Sequence, residues 1–299
     1  MTNGGANVIL VAPTPPGAGR TGRRIPLQLY VHGSRGSSTV SGPAFARHGG
    51  YTTCFEVVME DGHHLVIDAG SGLLRVQAAL AEAGTTQPFQ GTIFFTHFHW
   101  DHIQGLPFFA PVYASTSAIR LIGAPPAGHT VRSALADAIR PPWFPVPLAQ
   151  AAASLSFEAL PGQSVRVGDV EVTSVPLNHP GGVSGFRIAR GDHSLVIATD
   201  VEAGDPASDA ALRTLAEGAS VLIHDAQYTP GEWATTRRGW GHSTWEHATA
   251  VAAEAHVDRL LLTSHDPDRT DEGIDEIVRA ARQRFPATEA AFEGQIIEF

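Results

Sequence analysis

The 299-residue chain has no lysine, so all 20 of its cationic side chains are arginine, and it has a single cysteine, Cys54. One cysteine excludes internal disulfides and a cysteine-based zinc finger. No stretch approaches the run of about 18 apolar residues that a membrane span requires. The start of the chain lacks the basic segment followed by an apolar one that marks a secretory signal. Its short apolar run at 8–12 is broken by Pro13, Pro15, Pro16 and Gly17, so residues 1–24 read as a flexible leader ahead of one domain at 25–299, with the cytoplasm as the expected location. Basic runs are missing as well, and the formal charge is −10. Tight binding to long nucleic acid rests on neutralising phosphates. The charge therefore points to a small-molecule substrate, with neither long nucleic acid nor membrane as partner. A small phosphate ester stays open, because a metal site supplies positive charge locally.

With 43% hydrophobic and 17% charged residues, the chain can bury a sizeable core and is not of the disordered class. Histidine stands out at 15 residues, and many follow one positional rule. Short apolar runs at 65–67, 93–96, 195–199, 221–223 and 260–264 end at Asp68, His97, Asp200, His224-Asp225 and His265. Continuous apolar runs of this length read as buried strands. In layered α/β folds, sites collect at the carboxyl ends of strands. Five such endings predict one common site.

Helices are predicted between these strands at 73–83, 131–139, 209–217, 243–256 and 274–285. Gly84 suits a C-cap for the first, and Ser243 with Glu246 fits a capping box for the fourth. Hairpin-like pieces lie near 55–67 and 165–175. The proline- and aromatic-rich segment 140–148 reads as a lid, a substrate wall or a packed surface loop. The Gly/Trp/Arg-rich segment 228–241 is expected near the site, with Arg237 and Arg238 as candidates for contact with an anionic substrate.

The strongest signal is Thr96-His97-Phe98-His99-Trp100-Asp101-His102, four ligand-type residues within six, directly after a strand. His97 and His99 alternate, so on a turn leaving the strand both can face one ion, and Asp101 and His102 then reach a second. Imidazole and carboxylate suit Zn²⁺, and Mn²⁺ or Fe²⁺ fit the same donors.

This H-x-H-x-D-H motif resembles the signature of the metallo-β-lactamase superfamily, and the similarity extends over residues 27–299. It implies an α/β fold, an αββα four-layer sandwich with two divalent metal ions at one edge of its sheets. Three later positions fit the family's pattern: His179 in Leu-Asn-His-Pro, Asp200 in Ala-Thr-Asp, and His265 in Thr-Ser-His-Asp. The resemblance implies that His97, His99 and His179 hold one ion, that Asp101, His102 and His265 hold the other, and that Asp200 bridges them. Asp68 looks like the acid behind the ligands that orients them. Two such ions acidify a shared water, which supplies hydroxide near neutral pH without a protein nucleophile.

Fold does not fix substrate. Downstream, His224-Asp225-Ala226-Gln227-Tyr228 and Gly241-His242-Ser243-Thr244 resemble the branch that holds ribonuclease Z and the cyclic phosphodiesterases. In that branch the His of H-S-T stands beside the metals and an acid orients it, here His242 and Asp225. Such a pair suits protonation of a leaving alkoxide, and the helix that follows favours phosphate oxygens. Arg35 is a further candidate for contact with a phosphate or carboxylate. The expected activity is hydrolysis of a small or cyclic phosphodiester; the alternative is an ester, lactone or β-lactam at the same site. A homodimer is implied by resemblance alone.

Overall fold

Neighbouring residues of a strand face opposite sides of a sheet, and in the central strands both sides are buried. The computed structural model describes residues 27–84 and 88–299, so the leader expected at 1–24 lies outside the described residues. One sheet begins with β1 (Gln28–Gly33), β2 (Cys54–Val58), β3 (His64–Ile67), β4 (Gln90–Phe95), β5 (Ala118–Gly123) and β6 (Ser154–Ala159). The other holds β7 (Ser164–Val167), β8 (Val170–Leu177), β9 (Val183–Arg190), β10 (His193–Ala198), β11 (Val221–Asp225), β12 (Leu260–Thr263) and β13 (Thr288–Ala290). The last strand, β14 (Ile296–Glu298), returns to the first sheet beside β1, giving the order β14-β1-β2-β3-β4-β5-β6 against β13-β12-β11-β10-β9-β8-β7.

Leu65, Ile67 and Phe94 of the first sheet meet Phe186, Leu195, Ile197, Ile223 and Leu261 of the second in a central apolar layer. The intervening residues Val66, Ile93 and Phe95 pack outward on α1 (Leu73–Glu82) and α3 (Val131–Ala138). Val196, Leu222, Leu260 and Leu262 do the same against α4 (Pro206–Ala216), α6 (Trp245–Glu254) and α7 (Asp271–Ala281). The result is the expected αββα sandwich. Two short helices, α2 (Trp100–Ile103) and α5 (Pro230–Glu232), lie in the loops at the edge where the site forms.

Strands β3 to β6 run parallel, and so do β10 to β13. Parallel order sends the carboxyl ends of β3 and β4 to one edge of the first sheet, and those of β10, β11 and β12 to one edge of the second. The two edges meet: His102 Nε2 lies 3.3 Å from Asp200 Oδ2.

The capping box of α6 lies one residue later than expected. Thr244 is the N-cap, and its hydroxyl accepts from the His247 backbone N–H, while Glu246 pairs with Arg284 instead. Ser243 stays outside the helix, where its own N–H donates to Asp225 and its hydroxyl donates to the Val201 carbonyl. Asp205 and Thr270 cap α4 and α7 and start both a few residues before their apolar patterns do.

Away from the site, the first sheet holds one buried charge. Glu56 of β2 accepts from His32 Nε2 at 2.7 Å and from His64 Nδ1 at 2.6 Å. Burial pushes its carboxyl up, but the two imidazoles outweigh this and hold it down at about 2, against an ordinary 4.5. A pKa depressed in the folded state contributes stability above the unfolded value, and that contribution is lost as pH falls through the folded one. Glu56→Gln should therefore destabilise the protein at pH 7 by about 2–3 kcal/mol. In thermal denaturation the gap to the wild type should narrow between about pH 4.5 and about pH 2; a gap independent of pH would contradict this account.

Candidate metal centre

The centre is built backward from Asp68, which is fully buried at the end of β3. Its Oδ1 accepts the Thr96 backbone N–H, and its Oδ2 accepts both the Thr96 hydroxyl and His102 Nδ1, each at 2.8 Å. The Thr96 hydroxyl spends its one proton on Asp68, so toward His97 Nδ1, 3.1 Å away, it acts as acceptor. One carboxylate thereby fixes the Nδ1 side of both rings and leaves the Nε2 atoms of His97 and His102 directed inward. Both Nε2 atoms are buried and lack a hydrogen-bond partner. Buried polar atoms are seldom left so. Burial also lowers the pKa of His97 well below its ordinary value, which keeps it neutral and able to ligate.

Two compact groups of ligand atoms follow, His97 with His99 and His179, and His97 with His102 and Asp200. His179 Nδ1 donates to the Gly241 carbonyl at 2.7 Å, and its Nε2 lies 3.1 Å from His99 Nδ1. Asp101 joins at the side, with Oδ2 3.3 Å from His102 Nε2 and held by the Ser37 N–H. Convergent imidazole nitrogens without partners, flanked by carboxylates, fit divalent zinc-type ions.

A third group, Asp200 with Asp225 and His242, also lies within ligand range. Asp225, however, has its oxygens filled: Oδ1 accepts the Gln227 and Ser243 N–H groups, and Oδ2 accepts the Asp200 N–H and His242 Nδ1, the latter at 2.6 Å. That makes it a holder of His242 rather than a ligand. His242 Nε2 is left 3.9 Å from Asp200 Oδ2. Burial lowers the His242 pKa, but Asp225 and Asp200 outweigh it and lift it to about 9.

Not every expected residue arrives. His265 lies outside these groups: its Nε2 sits 3.0 Å from the Ala291 carbonyl, and burial holds its pKa down at about 3. The residue before it, Ser264, faces the centre instead and donates to Asp200 Oδ1 at 3.2 Å. Arg35, expected to contact an anion, is fully buried and donates to the carbonyls of Gly49, Asp266 and Arg269. The helix start beside His242 is also partly spent, since Ser243 N–H and His247 N–H already have acceptors. The segment 228–241 does border the site: the Tyr228 ring is 5.7 Å from His242, and Arg237 lies over both Tyr228 and Trp240. In 140–148, Phe144 packs edge-on against Phe108, which follows the histidine-rich turn.

Two contributors had no role assigned from the sequence: Glu202, which carries no signal of its own, and Gly241, noted only as the first residue of the Gly-His-Ser-Thr motif. Buried Glu202 accepts the Gly239 and Gly241 N–H groups and so fixes the loop that holds His179 and His242. Gly241 has φ +88°, and a Cβ there would stand 2.3 Å from His179 Nδ1.

Residues 63–265 match the family described as Beta-lactamase superfamily domain. A protein named ribonuclease Z from Mycobacterium sp. (strain KMS) is 28% identical over 247 residues, 74% of this chain and 80% of that protein. Another of that name, from Brevibacillus brevis, is 37% identical over 95 residues, a match that spans only 30% of its length and 30% of this chain. Among solved structures, the metallo-beta-lactamase fold protein YhfI from Bacillus subtilis has a TM-score of 0.70 at 17% identity, covering 92% of this chain and 100% of that one, which is a likeness of fold. The name ribonuclease Z overturns the expectation that long nucleic acid is excluded as a partner. Net charge sums over the whole surface, whereas a ligand meets the local field. Here Arg237 and Arg238 lie over Trp240 and Trp233 in the segment that borders the site. Among the described residues, no helix is long and apolar enough to cross a membrane.

Gly241→Ala should displace the His179 imidazole. The expected outcome is a folded protein whose zinc affinity, read by competition with a coloured chelator, falls by about 10-fold or more. Unchanged affinity would show that His179 does not depend on the Gly241 contact.

Proposed function

The chain belongs to the beta-lactamase superfamily, and from that premise we propose that it is a metal-dependent hydrolase of phosphodiesters with two divalent ions. Zinc is the best match to donors dominated by imidazole. The proposed ligands of one ion are His97, His99 and His179, those of the other are His102 and Asp101, and Asp200 lies between them. When bound, such ions supply a Lewis acid for phosphoryl oxygens and lower the pKa of a water.

The observation that carries the phosphodiester reading is the His242–Asp225 pair. Asp225 fixes His242 through Nδ1, and Nε2 points toward Asp200. An imidazole held in this way donates a proton to a departing alkoxide, which is the difficult step for a phosphodiester whose leaving group is an alcohol. Asp68 and Glu202 act behind it: one sets the histidine tautomers, the other fixes the 239–241 loop. A small or cyclic diester is the minimal substrate on this reading, and the relatives named ribonuclease Z put RNA beside it.

The role assigned to His242 has a specific signature. Nitrophenolate leaves without protonation; a ribose hydroxyl does not. His242→Ala should therefore lower kcat by about 10²–10⁴-fold on a dinucleotide or a precursor tRNA, with a much smaller loss on bis-p-nitrophenyl phosphate and unchanged metal content. Equal losses on both classes of leaving group would refute the proton-donor assignment. Chelator-resistant turnover, or turnover of lactones and β-lactams only, would refute the wider reading.

A further inference from the structure

Three of the strands that feed the centre end in the same local conformation. Asp68 after β3, Asp200 after β10 and Ser264 after β12 have φ of 61°, 53° and 56°. Residues with side chains seldom take these left-handed values, and they persist where the surroundings fix them. In each case the kink turns the side chain into the centre. Asp68 meets Thr96 and His102, Asp200 meets His102, and Ser264 meets Asp200. His265, one residue further on, faces the opposite way, toward the Ala291 carbonyl and the edge of the His48 ring. The position at the end of β12 that reaches the centre thus carries a neutral hydroxyl rather than an imidazole.

This makes the two ligand sets unequal. One comprises three imidazoles, His97, His99 and His179, with Asp200. His97 lies within range of both groups but has a single inward nitrogen, which is assigned here to the side of His99 and His179, so the other set comprises one imidazole, His102, with the carboxylates of Asp101 and Asp200. The Ser264 hydroxyl does not make up the difference. Zinc in proteins takes thiolate, imidazole or carboxylate, and this hydroxyl has its proton on Asp200. The remaining imidazole on that side is His242, whose assigned work as proton donor needs it free.

Building on the metal reading above, we propose that the His102 position is a low-affinity, exchangeable metal site with open coordination positions, while the three-histidine position holds its ion tightly. Three protein ligands with open positions is the arrangement of catalytic rather than structural zinc sites. Its oxygen-rich donors also shift preference toward harder cations such as Mn²⁺.

Equilibrium dialysis of the metal-free protein against buffered Zn²⁺, read by elemental analysis, tests this without reference to turnover. The wild type should bind two ions in two classes, with dissociation constants at least about 10-fold apart, because even groups that only orient a ligand change metal affinity by about that much. Ser264→His should tighten the weaker class by about 10-fold or more and leave the stronger unchanged. Histidine is among the residues that tolerate the left-handed conformation needed there. His265→Gln should leave both classes as they are. Two equal classes in the wild type, loss of the weaker ion in His265→Gln, or a folded Ser264→His protein with an unchanged weaker class would each overturn the proposal. Should Ser264→His fail to fold, the wild-type and His265→Gln measurements still decide it. Absence of any bound ion would instead defeat the metal reading itself, whereas two equal sites would defeat only the asymmetry.

Discussion

The arrangement of this centre depends on one buried carboxylate. Asp68 has no contact with solvent, and it accepts three hydrogen bonds from two residues, Thr96 and His102. Through the Thr96 hydroxyl it also governs His97. Without Asp68, neither ring would have a fixed tautomer, and the inward Nε2 atoms would be as free to donate as to accept. A buried, unpaired carboxylate is costly. Here the cost is offset by donors that are themselves held by the strands, so ligand geometry and sheet geometry form one problem with one solution.

The second sheet repeats the device with different residues. Asp225 at the end of β11 has its acceptor capacity filled by backbone N–H groups and His242. Glu202 ties down the glycine-rich turn just before His242. Backbone conformation contributes too, since the left-handed residues at the ends of β3, β10 and β12 turn short side chains into the gap between the sheets. Orientation is thus provided by groups that do not touch the proposed metal positions, and the residues that do are held from behind.

Much of this was legible in the chain. The five apolar runs are strands buried on both faces, which is why they read as continuous rather than alternating, and the ends at Asp68, His97, Asp200 and Asp225 converge while His265 turns away. The density of His97, His99, Asp101 and His102 marked the site because no packing role explains four such residues at a strand exit. What could not be read was parity. Whether Ser264 or His265 looks inward depends on a single backbone kink, and the family pattern, which asks for a histidine after this strand, pointed to His265. Arg35 was similarly opaque: it read as a candidate for contact with a phosphate or carboxylate, yet its guanidinium serves three backbone carbonyls. Ser243 looked like a cap because the demands of Asp225 and Val201 on it are long-range. The acidic net charge misled about partners because it averages over the whole surface, whereas the segment bordering the site carries Arg237 and Arg238.

A crystal grown with zinc, with the ions located by anomalous scattering, addresses the central claim most directly. The account predicts two peaks about 3.5–4 Å apart, one among His97, His99 and His179 and a weaker one at His102, with Asp200 between them and His265 still on the Ala291 carbonyl. A single peak elsewhere, or none among these histidines, would contradict it.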